Sequence, residues 1–143
     1  MSRHVVDASV VIKWFVEEIH ADQARKLQDD QYELVAPDLL WPESGNILSK
    51  KVHRAELMAD EARLICAGLD EQPIHIFPSS LVLEPALEIA LETGRTVYDS
   101  CYLALAVLTE CQLVTADQRL VNSLQGSRYA RSVLWVGHFS SSV

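Results

Sequence analysis

Short, almost wholly apolar runs alternate along this chain with longer stretches in which apolar residues return every three or four positions. Residues 3 to 7 (RHVVD), 32 to 37 (YELVAP), about 74 to 77 within PIHIFPSS, 112 to 117 (QLVTAD) and SVLWVG near the end predict five short buried strands. Between them ASVVIKWF predicts a helix opening straight from the first strand. Residues 20 to 30 (HADQARKLQDD) carry a thin apolar stripe, and DLLWPESGNILSKKV predicts a helix from about residue 38. Residues 55 to 70 place Leu57, Met58, Leu64, Ile65 and Leu69 on one side of a further helix. LVLEPALEIALETG predicts one ending near Gly94, DSCYLALAVLTEC one from about Asp99, and QRLVNSL a short one. Apolar strands alternating with helices imply an α/β fold of three layers, a central parallel β-sheet flanked by helices. No repeat, low-complexity tract or linker interrupts the pattern, so residues 1–143 are expected to form a single domain.

Composition narrows this reading. At 143 residues and 49% hydrophobic the chain can bury a core without disulfides. No basic segment precedes an apolar one at the start and no apolar run is long enough to span a bilayer, so a cytoplasmic protein with no membrane partner is expected. Cys66, Cys101 and Cys111 form no CxxC pair and leave an odd thiol; they are expected to be buried thiols in a reducing compartment. The five histidines show no metal-ligand spacing, which argues against structural zinc. A formal net charge of -8 excludes a broadly basic nucleic-acid surface but permits nucleic acid held through a metal.

The chemistry is carried by acids. In VVDASVV, residues 5 to 11, Asp7 sits inside an apolar run, and an ionised carboxylate there needs compensation. Ligands of open α/β sheets bind beyond the carboxyl ends of the strands. Asp7 ends the first strand, Asp38 and Glu43 follow the second, Asp99 opens a helix and Asp117 ends LVTAD. Singly, Asp7, Asp99 and Asp117 are also good helix N-caps, and Glu43 suits a solvated helix face. Together, unit charges about 4 Å apart at an effective dielectric of about 20 repel by about 4 kcal/mol per pair, so converging acids require a cation. The donors are oxygens alone, with the Ser9 and Thr115 hydroxyls beside Asp7 and Asp117, which points to Mg²⁺ or Mn²⁺ and to phosphodiester hydrolysis by activated water. Metal and helix start should both favour the charged form of Asp7, giving it a normal or lowered pKa.

Four stretches, VVDASVVIKWF, PDLLWPESGNIL, TVYDSCYLALA and LVTADQRL, together resemble PIN-domain proteins, in particular the VapC toxins of bacterial and archaeal toxin–antitoxin pairs. The resemblance implies a metal-dependent endoribonuclease, usually a homodimer, cleaving an RNA substrate and held inactive by a cognate antitoxin protein. By position it implies that Asp7, Glu43, Asp99 and Asp117 are the catalytic and metal-binding acids. Ser9 and Thr115 match hydroxyls supporting the metal's waters, and Asn46 matches a polar residue one turn after the glutamate. Gly45 departs from the bulkier apolar residue expected beside it.

Lys50, Lys51 and Arg54 in KKVHR, together with Arg95, are the candidate RNA contacts; all also suit a helix carboxyl end, where cations meet the macrodipole, and for KKVHR that is the stronger reading. Trp14, Phe15 and Trp41 are read as core rather than base-stacking platforms. A receiver domain would want a lysine after the last strand, and a haloacid-dehalogenase-type phosphatase an aspartate at position 9; neither is present. A PIN-like RNA- or protein-binding module with little turnover, and a nuclease acting on DNA, remain as alternatives.

Overall fold

Strands β1 (Ser2–Val6), β2 (Tyr32–Pro37), β3 (Ile74–Phe77), β4 (Gln112–Thr115) and β5 (Val133–Trp135) pair in parallel in the order β3-β2-β1-β4-β5 in the computed structural model, which describes residues 2–140. Val5 pairs with Val35 on one side and Leu113 on the other, so β1 is the central strand. Strand order reverses there: the chain runs outward through β2 and β3, then returns to add β4 and β5 beyond the opposite edge of β1. The carboxyl ends of β1 and β4 thus flank the switch point, where this architecture opens a crevice.

Successive residues of each strand point to opposite faces. Val6, Leu34 and Val114 join the core on one face, with Val10, Ile12, Trp14, Leu40 and Leu48. Val5, Val35 and Leu113 join the other, with Leu103, Leu105 and Leu120. Helices α1 (Ala8–Val11), α2 (Ala21–Lys26), α3 (Leu40–His53), α4 (Ala59–Gly68), α5 (Leu83–Thr93), α6 (Val97–Leu108) and α7 (Gln118–Ser123) supply the flanking layers. The expected α/β architecture, a parallel sheet covered by helices on both sides, is the one observed. Every residue of α6 from Ser100 to Ala106 is buried, which accounts for its almost unbroken apolar sequence.

Element ends differ from the sequence expectation for local reasons. The ASVVIKWF helix tightens after Val11 into a 3₁₀ turn over Ile12–Trp14. There Lys13, itself buried, donates to the Ile19 carbonyl at 2.7 Å, and Trp14 Nε1 donates to the Ala24 carbonyl at 2.8 Å. The helix expected from residue 55 begins at Ala59, because Ala55 takes a left-handed φ of 61° and separates it from α3. Helix α6 starts at Val97, ahead of Asp99, because Thr96 is its cap and accepts from the Asp99 N–H at 3.0 Å. Trp14 is buried, and Phe15 and Trp41 pack half-buried on the core, as expected. Of the thiols, Cys101 is buried and Cys111 half-buried, but Cys66 is exposed, correcting the expectation of a buried thiol. Helix α4 packs at the periphery and fully buries none of its residues.

Leu113, fully buried at the centre of the sheet, and Leu64, 77% exposed on α4, offer a contrast. Leu113→Ala is expected to cost about 2–5 kcal/mol of unfolding free energy and Leu64→Ala less than about 0.5 kcal/mol, read from urea denaturation of both variants. Equal losses would contradict this placement of the core.

Candidate active site

Asp7 leaves β1 as the N-cap of α1, and its Oδ1 accepts from the Val10 N–H at 3.2 Å. Ser9 Oγ donates to the same oxygen at 2.5 Å, and Thr115 Oγ1, from the end of β4, donates to Oδ2 at 2.5 Å. The hydroxyls also bind backbone: Ser9 Oγ accepts from the Ala116 N–H at 3.0 Å and Thr115 Oγ1 from the Asp117 N–H at 3.1 Å. The ends of β1 and β4 are therefore laced together through Asp7. Ser9 and Thr115 hold this carboxylate directly.

Asp117 is exposed and caps α7, accepting from the Leu120 N–H at 3.2 Å. Glu43, in the first turn of α3, is half-buried, and its Oε1 accepts from the Tyr102 hydroxyl at 2.6 Å. Asp99, in the first turn of α6, accepts at Oδ2 from Arg95 Nη2 at 3.1 Å. The N-cap readings of Asp7 and Asp117 are thus true, and that of Asp99 is not. All four acids nevertheless line one cleft of about 180 Å³, together with Ala8, Ser9, Asn46, Ile47 and Tyr102.

Burial dominates the electrostatics. It pushes the Asp7 carboxyl up to about 6 against the three hydrogen bonds that favour its charge, and the negative charge of Glu43 adds to the rise. The expected normal or lowered pKa is therefore overturned for the protein's own groups: the four-residue helix α1 and two hydroxyls do not replace the lost hydration. Glu43 is raised by burial too, opposed by its bond from Tyr102 and reinforced by the charge of Asp99. Tyr102 is driven far above the usual phenol range by burial and by Glu43, so its hydroxyl remains a donor.

The donor set fits a hard divalent cation: carboxylate and hydroxyl oxygens, with Asp7 enclosed and short of compensating charge. Among the described residues, no three His, Cys, Asp or Glu side chains are gathered closely enough to chelate an ion in the conformation seen. Tyr102 and Arg95 hold Glu43 and Asp99 instead.

The other predicted residues separate. Asn46 lines the cleft, one turn beyond Glu43. Lys50, Lys51 and Arg54 do not: Lys51 pairs with Glu18 at 2.5 Å, in a cluster with Lys13, while Lys50 and Arg54 are exposed at the far end of α3. Asp38 lies outside the cleft and accepts from the Ser79 N–H at 3.1 Å. Helix α3 runs unbroken through Gly45, where an added Cβ would meet nothing within 4 Å, so the departure there leaves the helix intact. Sequence reading missed Tyr102; its signal was the three-residue step from Asp99, which puts both on one helix face.

The parallel α/β sheet thus brings four acids to one cleft at its switch point. The PIN domain model matches residues 4–122. Over 118 residues, 81% of this chain and 90% of the relative, the sequence is 36% identical to Ribonuclease VapC3 of Pyrobaculum aerophilum. The chain belongs to the PIN-domain family. The fold is similar to the crystal structure of PAE2754 from the same organism, with a TM-score of 0.67, 24% identity and coverage of 95% of this chain and 85% of that one. It is similar also to a toxin–antitoxin complex from Klebsiella pneumoniae, with a TM-score of 0.58, 17% identity and coverage of 92% and 95%.

A carboxyl whose pKa rises from its unfolded value of about 3.9 to about 6 stabilises the fold fully below pH 4 and loses that contribution as pH rises through 6. Metal-free Asp7→Asn is therefore expected to unfold less readily than the parent protein at pH 7.5, by up to about 3 kcal/mol, with the difference vanishing below about pH 4. Thermal melts across this range in chelator check it. A variant less stable than the parent at pH 7.5 would contradict it.

Proposed function

We propose that this protein is a metal-dependent endoribonuclease, the toxin of a VapBC-type pair, hydrolysing RNA phosphodiester bonds and neutralised by a cognate antitoxin. The observation that carries the reading is the four-acid cleft at the switch point of a chain 36% identical to a VapC ribonuclease. In this reading Asp7, Glu43, Asp99 and Asp117 hold Mg²⁺ or Mn²⁺. When bound, such an ion supplies Lewis acidity at phosphate oxygens and lowers the pKa of water.

The chain's own groups do the positioning. Ser9 and Thr115 fix the Asp7 carboxylate at the seam of β1 and β4. Tyr102 orients Glu43 through its hydrogen bond to Oε1. Asp117 is the most exposed of the four acids. Asn46 would supply a supporting polar group on the α3 side of the cleft.

The partners follow from the same reading. Leu83, Leu87 and Leu91 expose a stripe at four-residue intervals along α5, suited to a homodimer. Among the described residues no helix is long and apolar enough to cross a membrane, in keeping with a cytoplasmic place of action.

Purified protein, free of any partner, should cleave a mixed RNA substrate with Mg²⁺ or Mn²⁺ and not with chelator. Asp99→Asn should lose at least about a hundredfold in rate. Equal cleavage by both proteins would remove Asp99 from the site. Folded, metal-binding protein that leaves every RNA intact would favour a binding module.

A further inference from the structure

Asp99 differs from the other cleft acids in its partner. Asp7, Glu43 and Asp117 are held by hydroxyls and backbone N–H groups, whereas Asp99 is held by a guanidinium. Arg95 is well anchored at its backbone. Gly94, with a left-handed φ of 76°, closes α5, and the Arg95 N–H donates to Thr93 Oγ1 at 3.2 Å. Its side chain spans the turn and reaches the first turn of α6.

The pair itself is loose. Nη2 makes a single 3.1 Å bond to Asp99 Oδ2, both side chains are roughly a quarter exposed (27% and 29%), and the buried Nε has no hydrogen-bond partner. Guanidinium groups bind carboxylate and phosphate best as a two-pronged fork, and this arrangement uses one prong. A partly exposed pair of this kind biases an equilibrium by no more than about fivefold. A divalent ion can outbid it for the carboxylate. As the side chains stand, no three acids among the described residues are close enough to chelate, and the hold on Asp99 is the one that a competing cation would release.

We propose that Arg95 is an exchangeable partner: its guanidinium occupies Asp99 until the divalent cation takes that carboxylate, and once released it binds a phosphate of the RNA. Metal binding and substrate binding are thereby coupled through one side chain. The inference rests on the metal-site reading above and adds a residue to it.

Mn²⁺ titration by calorimetry, on intact protein without RNA, tests the exchange apart from activity. Arg95→Gln should bind Mn²⁺ about two- to fivefold more tightly than the parent. Arg119→Gln removes the same charge from α7, near Asp117, without touching Asp99, and should change affinity by less than half as much. Unchanged or weaker binding in Arg95→Gln, or equal tightening in both variants, would overturn the exchange. A parent protein that binds no Mn²⁺ would overturn the metal-site reading beneath it. At saturating Mg²⁺, Arg95→Gln should raise KM for RNA about three- to tenfold with kcat within about twofold, and Arg95→Lys should recover part of the KM. An unchanged KM would remove the phosphate contact.

Discussion

The arrangement of this protein's cleft turns on one desolvated carboxylate. Asp7 stands where the central strand ends and the first helix begins, and Ser9, Thr115 and the Val10 N–H all converge on it. Through those hydroxyls the same carboxylate draws in Ala116 and Asp117, so the ends of β1 and β4 are set by one polar knot. The knot organises the site but leaves its charge uncompensated, which is why the carboxyl rises to about 6. A divalent cation would complete it.

Much of this was legible in the chain. Strands stood out because burial on both faces demands unbroken apolar runs, and the acids because they fall where such runs end. Helix boundaries were less legible. Thr96 caps α6 in place of Asp99, and Ala55 breaks the chain between α3 and α4 without a glycine or proline to announce it. The bond from Tyr102 to Glu43 joins residues 59 positions apart, a separation that no local pattern encodes. The height of the Asp7 pKa was misjudged for a related reason: it depends on how deeply the folded chain encloses the carboxylate, and sequence reveals only that the neighbours are apolar. Cys66 shows the converse, an apolar-patterned position left exposed because its helix is peripheral.

Charge distribution bears on how an acidic protein meets RNA. With a net charge of -8, general attraction to a polyanion is weak, and several cations are already engaged. Lys13 and Lys51 share Glu18, Arg25 pairs with Glu17, and Arg128 with Glu92. Affinity must then be concentrated at the cleft, where a bound divalent ion would offset part of the carboxylate charge and offer phosphate oxygens a direct ligand. Such a protein discriminates by what fits against four carboxylates rather than by a broad electrostatic field, and its RNA binding should be less sensitive to salt than that of a basic protein.

The central claim is that Asp7, Glu43, Asp99 and Asp117 hold a divalent cation between the ends of β1 and β4. The most direct measurement is anomalous diffraction from crystals soaked in Mn²⁺ at neutral pH. A Mn²⁺ peak in the cleft, within coordination distance of Asp7 and Asp99, is the predicted result. A fully ordered cleft with no peak, at Mn²⁺ concentrations that support RNA cleavage in solution, would contradict it.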